Sequence, residues 1–95
     1  MALMQLPDFD TFARQARAEG FDEVIERRWD PLTVLETHTH PFAVKAVLTQ
    51  GQMWLTMHGQ TRELRPGDLF ELEREVPHDE RYGPEGATYW VARRN

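Results

Sequence analysis

Apolar and polar residues alternate along most of this chain, and only the stretch before residue 21 breaks that rhythm. There, Phe9, Phe12, Ala13 and Ala16 recur at helical spacing, Asp8 stands where an N-cap is needed, and Gly20 supplies a stop. The pattern predicts one short helix that covers an end of a β structure or an interface. From residue 23 onward the period is two. Strands are predicted at 23–29, 32–38, 43–50, 52–58, 61–65, 69–73, 76–82 and 87–93. They are broken at Asp30-Pro31, Pro41, Gly51, His58-Gly59, Pro66-Gly67-Asp68 and Gly83-Pro84-Glu85-Gly86. Closely spaced strands with no helix between them predict an antiparallel barrel or sandwich of jelly-roll rhythm. The chain divides into a helical lead-in over 1–22 and a β domain over 23–95.

Strand parity sorts the histidines. His38 and His40 fall on one face, Thr37 and Thr39 on the other. Carried through Pro41, the histidine face continues as Phe42, Val44, Ala46 and Leu48. It is apolar and therefore turns inward. Imidazoles on such a face need partners for their ring nitrogens, and a metal ion is one such partner. Two satisfied strand histidines are the alternative. A third histidine, His78, ends the segment in which Phe70 and Leu72 share a face. His58 differs: Met53, Leu55 and Met57 turn inward, leaving Trp54, Thr56 and His58 outward, with His58 solvated at a hairpin. Glu36 shares the parity of His38 and His40. It is a candidate to orient an imidazole or replace a ligand, or else a wet residue at the barrel mouth.

Composition narrows the chemistry. The 95 residues make one domain and one core. A net charge of −5 and a pI near 5.3 argue against a nucleic-acid partner. No apolar run approaches the ~18 residues of a membrane span. The opening MALMQLPDFD lacks the pattern of a signal peptide, so a cytoplasmic protein is expected. The sequence contains neither Cys nor Ser, which excludes disulfides, thiolate ligands and a Ser–His–Asp mechanism. Catalysis would fall to His, carboxylates, Tyr, Thr, the single Lys45 or a metal. The acidic positions Glu71, Glu73 and Glu75 read as the wet side of a strand, and Asp68 as a turn residue that bonds its own backbone.

Two segments together resemble the cupin superfamily. In the first cupin motif HxH is followed by three or four residues, Glu, six residues and Gly. Here His38-Thr39-His40, Val44 and Gly51 take those places. The second motif runs Gly, five residues, Pro, x, Gly, two residues, His, three residues, Asn. Gly67, Glu73, Glu75, His78 and Tyr82 fall there, so Gly and His are kept while Pro, Gly and Asn are replaced. The resemblance covers most of the chain after the helix. It implies an all-β cupin jelly-roll barrel in which His38, His40 and His78 converge on a divalent transition metal. Fe, Zn, Mn, Ni and Cu all remain open. Small cupins of this kind also resemble the sugar-binding domain of AraC-type regulators, without a DNA-binding domain in this sequence.

Val44 stands where most metal cupins carry the glutamate ligand. The shell that the resemblance implies is then three neutral imidazoles, which leave the ion its charge and open positions suited to an anionic or bidentate oxygen ligand. Among cupins this pattern is similar to that of thiol dioxygenases and diketone-cleaving enzymes. Lost metal affinity is the opposite reading of the same substitution. Tyr82, four residues after His78, is a candidate catalytic acid or ligand-binding hydroxyl. Met53, Leu55, Met57, Phe70, Leu72 and Val91 read as packing. Trp54, Tyr89 and Trp90 are candidate interface anchors or substrate walls, and a homodimer is the expected assembly. The functional expectations are a metal-dependent enzyme of dioxygenase type, a non-catalytic small-molecule binding or sensing module, and an interaction scaffold.

Overall fold

A computed structural model describes residues 8–95; the remainder of the expected lead-in, residues 1–7, lies outside the described residues. Helix α1 (Phe9–Ala18) begins where Asp8 accepts a hydrogen bond from the Thr11 amide at 2.8 Å. It ends with the Phe21 and Gly20 amides bonding back to Ala16 and Arg17. Six strands follow: β1 (Glu23–Trp29), β2 (Val34–His38), β3 (Ala43–Met57), β4 (Gln60–Leu64), β5 (Leu69–Leu72) and β6 (His78–Arg94). The expected strands at 43–50 and 52–58 are two halves of β3, and those at 76–82 and 87–93 are two halves of β6.

These two long strands pass from one layer to the other. In one layer the C-terminal half of β6 lies between β1 and the first half of β3, which also pairs with β5. In the other, the N-terminal half of β6 lies between β2 and the second half of β3, which also pairs with β4. Every pairing is antiparallel. The result is a jelly-roll-like fold whose ladders do not close into a complete ring among the described residues.

The bend between halves of β3 is set by bulges between Leu48 and Gln50 and between Gly51 and Met53. Gly51 has φ 86°, and a Cβ there would stand 2.1 Å from the Gly86 carbonyl oxygen and 2.7 Å from Ala87 Cα. Only glycine permits both that dihedral and that approach.

Alternation then decides what each layer buries. Val44, Ala46, Leu48, Met53, Leu55, Leu64, Phe70, Leu72 and Val91 meet between the layers, with Phe42 and Met57 packed against them. Their neighbours Val47 and Ala92 face the other way and receive Phe12, Ala13 and Ala16 of α1. The helix therefore covers the outer surface of one layer. Lys45, also outward, reaches Glu19 beyond the helix at 2.7 Å.

The ends of the expected strands shift for local reasons. The strand expected from 32 starts at Val34, since Leu32 has φ 60° in a turn. The one expected from 76 starts at His78. His58, at φ 52°, is exposed in the hairpin between β3 and β4, as expected.

The aromatics do not make a common exterior patch. Trp90 is packed by Phe9 and Phe12 at ring separations of 5.8 and 5.9 Å, and its Nε1 donates to Glu26. Tyr89 is buried between the layers. Trp54 is half-buried, with the Arg81 guanidinium 5.7 Å from its ring. Asp68 accepts from the Arg65 amide across the Pro-Gly-Asp turn, and Glu71, Glu73 and Glu75 are exposed. No helix among the described residues is long and apolar enough to cross a membrane.

Candidate metal centre

β2 and β6 begin the site. His38, at the end of β2, and His78, at the start of β6, are cross-strand partners. His40 follows β2 by two residues, and the Glu75 amide donates to its carbonyl at 2.9 Å. Ring centroids are 4.3 Å apart for His38 and His78, 4.9 Å for His38 and His40, and 5.1 Å for His40 and His78. One potential ligand atom from each of these histidines lies within 4.8 Å of the others. Residues separated by about half the chain thus meet at one point.

The backbone selects the ring nitrogens. His38 Nδ1 donates to the Glu36 carbonyl at 2.7 Å, and His78 Nδ1 donates to the Val76 carbonyl at 3.0 Å. A carbonyl can only accept, so in each neutral ring the proton sits on Nδ1 and Nε2 keeps its lone pair. His78 is 2% exposed, and its Nε2 has no hydrogen-bond partner among the described residues. His40 stacks on Phe42 with ring centroids 4.9 Å apart. Burial, assisted by His78, His38, Arg93 and Arg27, lowers its pKa to about 4, which keeps the imidazole neutral near pH 7.

Glu80 is the residue that sequence reading missed. It is 5% exposed, and its Oε2 lies 3.5 Å from His38 Nε2 and 3.8 Å from His78 Nε2. Both separations exceed ordinary hydrogen-bond lengths. Its other oxygen, Oε1, accepts from the Tyr82 hydroxyl at 2.7 Å. The signal was available: His78, Glu80 and Tyr82 have one parity on one strand. Tyr82 is buried and stacks on Trp29 at 5.3 Å. Burial, with Tyr89 and Glu80 alongside, pushes its phenol far above the usual range, so it stays protonated as a donor to Glu80. Burial acts on Tyr89 in the same direction. Glu36, by contrast, is exposed and meets His38 through its carbonyl, so its side chain is not the inward carboxylate. Val44 is buried where the motif places a glutamate.

A small cavity opens among these residues, lined by His40, Val44, His78, Glu80, Tyr89 and Arg93, with further apolar side chains. Its volume is ≈ 30 Å³; at ~10–15 Å³ for each water centre, that is room for a water or two. His38 and His40 are half-buried, and His40 is among the residues that line it. Arg93 lies 4.9 Å over the Phe42 ring.

The donors suit a divalent transition ion. With metal–nitrogen bonds of ~2.1 Å, ligand atoms around one ion stand roughly 3.0–3.4 Å apart. The histidine nitrogens, within 4.8 Å of one another, would draw closer to share one ion. The unpartnered Nε2 of His78 is the atom such an ion would satisfy. Backbone carbonyls on the far nitrogens hold the rings as metal-binding imidazoles are usually held.

Residues 22–93 match the family model described as AraC-like ligand binding domain. Solved structures share the fold at low identity. A structural-genomics protein of unknown function from Rhizobium leguminosarum bv. viciae 3841 is 20% identical with TM-score 0.71, over 75% of this chain and 67% of its own. An RmlC-like cupin from Shewanella frigidimarina NCIMB 400 is 17% identical with TM-score 0.66, over 76% of this chain and 65% of its own. The W96F oxalate decarboxylase of B. subtilis is 23% identical with TM-score 0.67, over 76% of this chain but 20% of its own. The chain thus spans two thirds or less of most of these structures' length. No curated protein matches the sequence.

Proposed function

The chain belongs to the AraC-like ligand-binding domain family, and from that premise we propose that it holds a divalent transition-metal ion and takes a small anionic or oxygen-rich molecule beside it. His38, His40 and His78 are the ligands in this reading. The observation that carries it is the convergence of three imidazoles, with His78 Nε2 buried and unpartnered. Iron, zinc, manganese, nickel and copper are all compatible with such donors. When bound, the ion supplies Lewis-acid charge to an oxygen of the bound molecule.

The chain's own residues define the rest. Phe42, Val44, Phe70 and Leu72 give the interior side of the site an apolar wall. The cavity is too small for a sugar ring, so the molecule binds at the mouth, beside half-buried His38 and His40. Arg93 lines that cavity, and together with Arg27 it acts electrostatically on His40. This positive flank supports an anionic partner. Tyr82 acts on the site through its hydrogen bond to Glu80. Dioxygenase-type turnover is the catalytic form of the proposal.

A second reading is a non-catalytic binding or sensing module that uses the same mouth. The family description favours it, since it names ligand binding and no reaction. Leu32 and Val34, exposed at 69% and 61% near the free edge of β2, support assembly as a homodimer. The cysteine-free, acidic composition supports a cytoplasmic location.

Elemental analysis of purified wild type, His38→Ala and His78→Ala tests the metal reading. Near-stoichiometric metal in wild type and its loss in both variants is expected; equal content in all three would refute it. Oxygen uptake with Fe(II) and candidate thiols or β-diketones separates turnover from binding. Saturable binding of an organic acid without turnover selects the second reading.

A further inference from the structure

Glu80 is an unusual buried carboxylate. It is 5% exposed, accepts one hydrogen bond, from Tyr82, and has no Lys or Arg ion-pair partner among the described residues. An ionised carboxylate buried with so few partners is costly unless a cation lies beside it. The groups facing its free oxygen are His38 Nε2 and His78 Nε2, at 3.5 and 3.8 Å. In the neutral rings both nitrogens carry lone pairs, because the Nδ1 atoms hold the protons that bond the carbonyls. A carboxylate oxygen and two imidazole lone pairs facing one another repel, unless a cation or a proton lies between them.

Resting on the metal-binding reading above, we infer that Glu80 is the fourth protein ligand and supplies the carboxylate that Val44 lacks. The two positions lie in different layers of the fold. Val44 is in the first half of β3, paired with β5, whereas Glu80 is in the half of β6 paired with β2. Both line the same cavity. Separations of 3.5 and 3.8 Å from the two imidazole nitrogens are close to the roughly 3.0–3.4 Å between ligand atoms sharing an ion. Tyr82 holds Oε1, so Oε2 alone is free and coordination is monodentate. The site then has three imidazoles and one carboxylate, and its net charge with a divalent ion is +1 where three imidazoles alone leave +2. Tyr82 is the positioning residue that aims the carboxylate.

Metal-free full chain titrated with Co(II), with Zn(II) in competition, tests the inference. Glu80→Gln keeps shape and removes charge. It should weaken binding roughly 10–100-fold and change the Co(II) visible spectrum, while one ion is still bound. Tyr82→Phe should alter the spectrum with a smaller loss of affinity. X-ray absorption of Co(II)-loaded wild type needs no variant and stands even if E80Q fails to fold. It should show a carboxylate oxygen within about 2.2 Å beside the imidazoles. Unchanged affinity and spectrum in folded E80Q, or a shell of imidazole and water alone, would overturn the role of Glu80 and leave the histidine site standing. Wild type that binds neither Co(II) nor Zn(II) would overturn both.

Discussion

The Glu75 amide donates to the His40 carbonyl at 2.9 Å, which ties the turn before His78 to the strand end bearing the HxH pair. That bond holds two sequence-distant histidine segments in register. Glu75 achieves it at φ 61°, a left-handed conformation in the place where the second cupin motif has glycine. A side chain there costs ~1–2 kcal/mol, while glycine's freedom in the unfolded chain gives back about 0.5–1. Glu75→Gly is therefore expected to stabilise the metal-free fold by a few tenths to ~1 kcal/mol, read as a higher urea midpoint at unchanged slope.

Gly51→Ala should be severely destabilising. Its Cβ would meet backbone atoms, not a movable side-chain end, at 2.1 and 2.7 Å. The expected loss is at least about 3 kcal/mol, measured as the drop in urea midpoint or as failure to accumulate folded protein.

His40 makes metal-free stability depend on pH. Its folded pKa, about 4, lies below the 6.5 of an unperturbed imidazole. Between those values the unfolded chain binds a proton that the folded chain refuses, so stability rises with pH across the window. The contribution is fully present above 6.5 and is lost as pH falls toward 4. His40→Gln should flatten this part of the curve of urea midpoint against pH.

Chelation should lower the melting temperature. An ion that binds only the folded state at ~100 times its dissociation constant adds about 2.7 kcal/mol. The difference between Zn(II)-loaded and chelator-treated protein should vanish in His78→Ala. A chelator-insensitive wild type would contradict the expected linkage.

Phe12→Ala tests the helix as part of the fold. Phe12 is buried against Trp90 and the outer face of the sheet. The expected cost is ~3 kcal/mol, with loss of helical circular dichroism and a red-shifted tryptophan emission.

Local rules made much of this legible. The period of two located nearly every strand, because burial of one face forces alternation wherever a strand lies on a core. Asp8 and Gly20 bounded the helix through backbone groups within a few residues. Parity put Val44, Ala46 and Leu48 on the histidine side and Lys45 away from it. The same rule reaches Glu80, since His78, Glu80 and Tyr82 alternate on β6, whereas the motif's own glutamate position falls at Val44.

The sequence by itself determined which residues share a face, where the chain turns, and that any chemistry proceeds without cysteine or serine. The tertiary structure alone decided that 43–50 and 52–58 form one bent strand, that Glu36 faces solvent while Glu80 is buried, and that Trp90 lies under the helix. Parity and capping are set by neighbours along the backbone. Which buried groups meet depends on register and curvature between strands far apart in the chain, and those emerge only when the layers close around their common core.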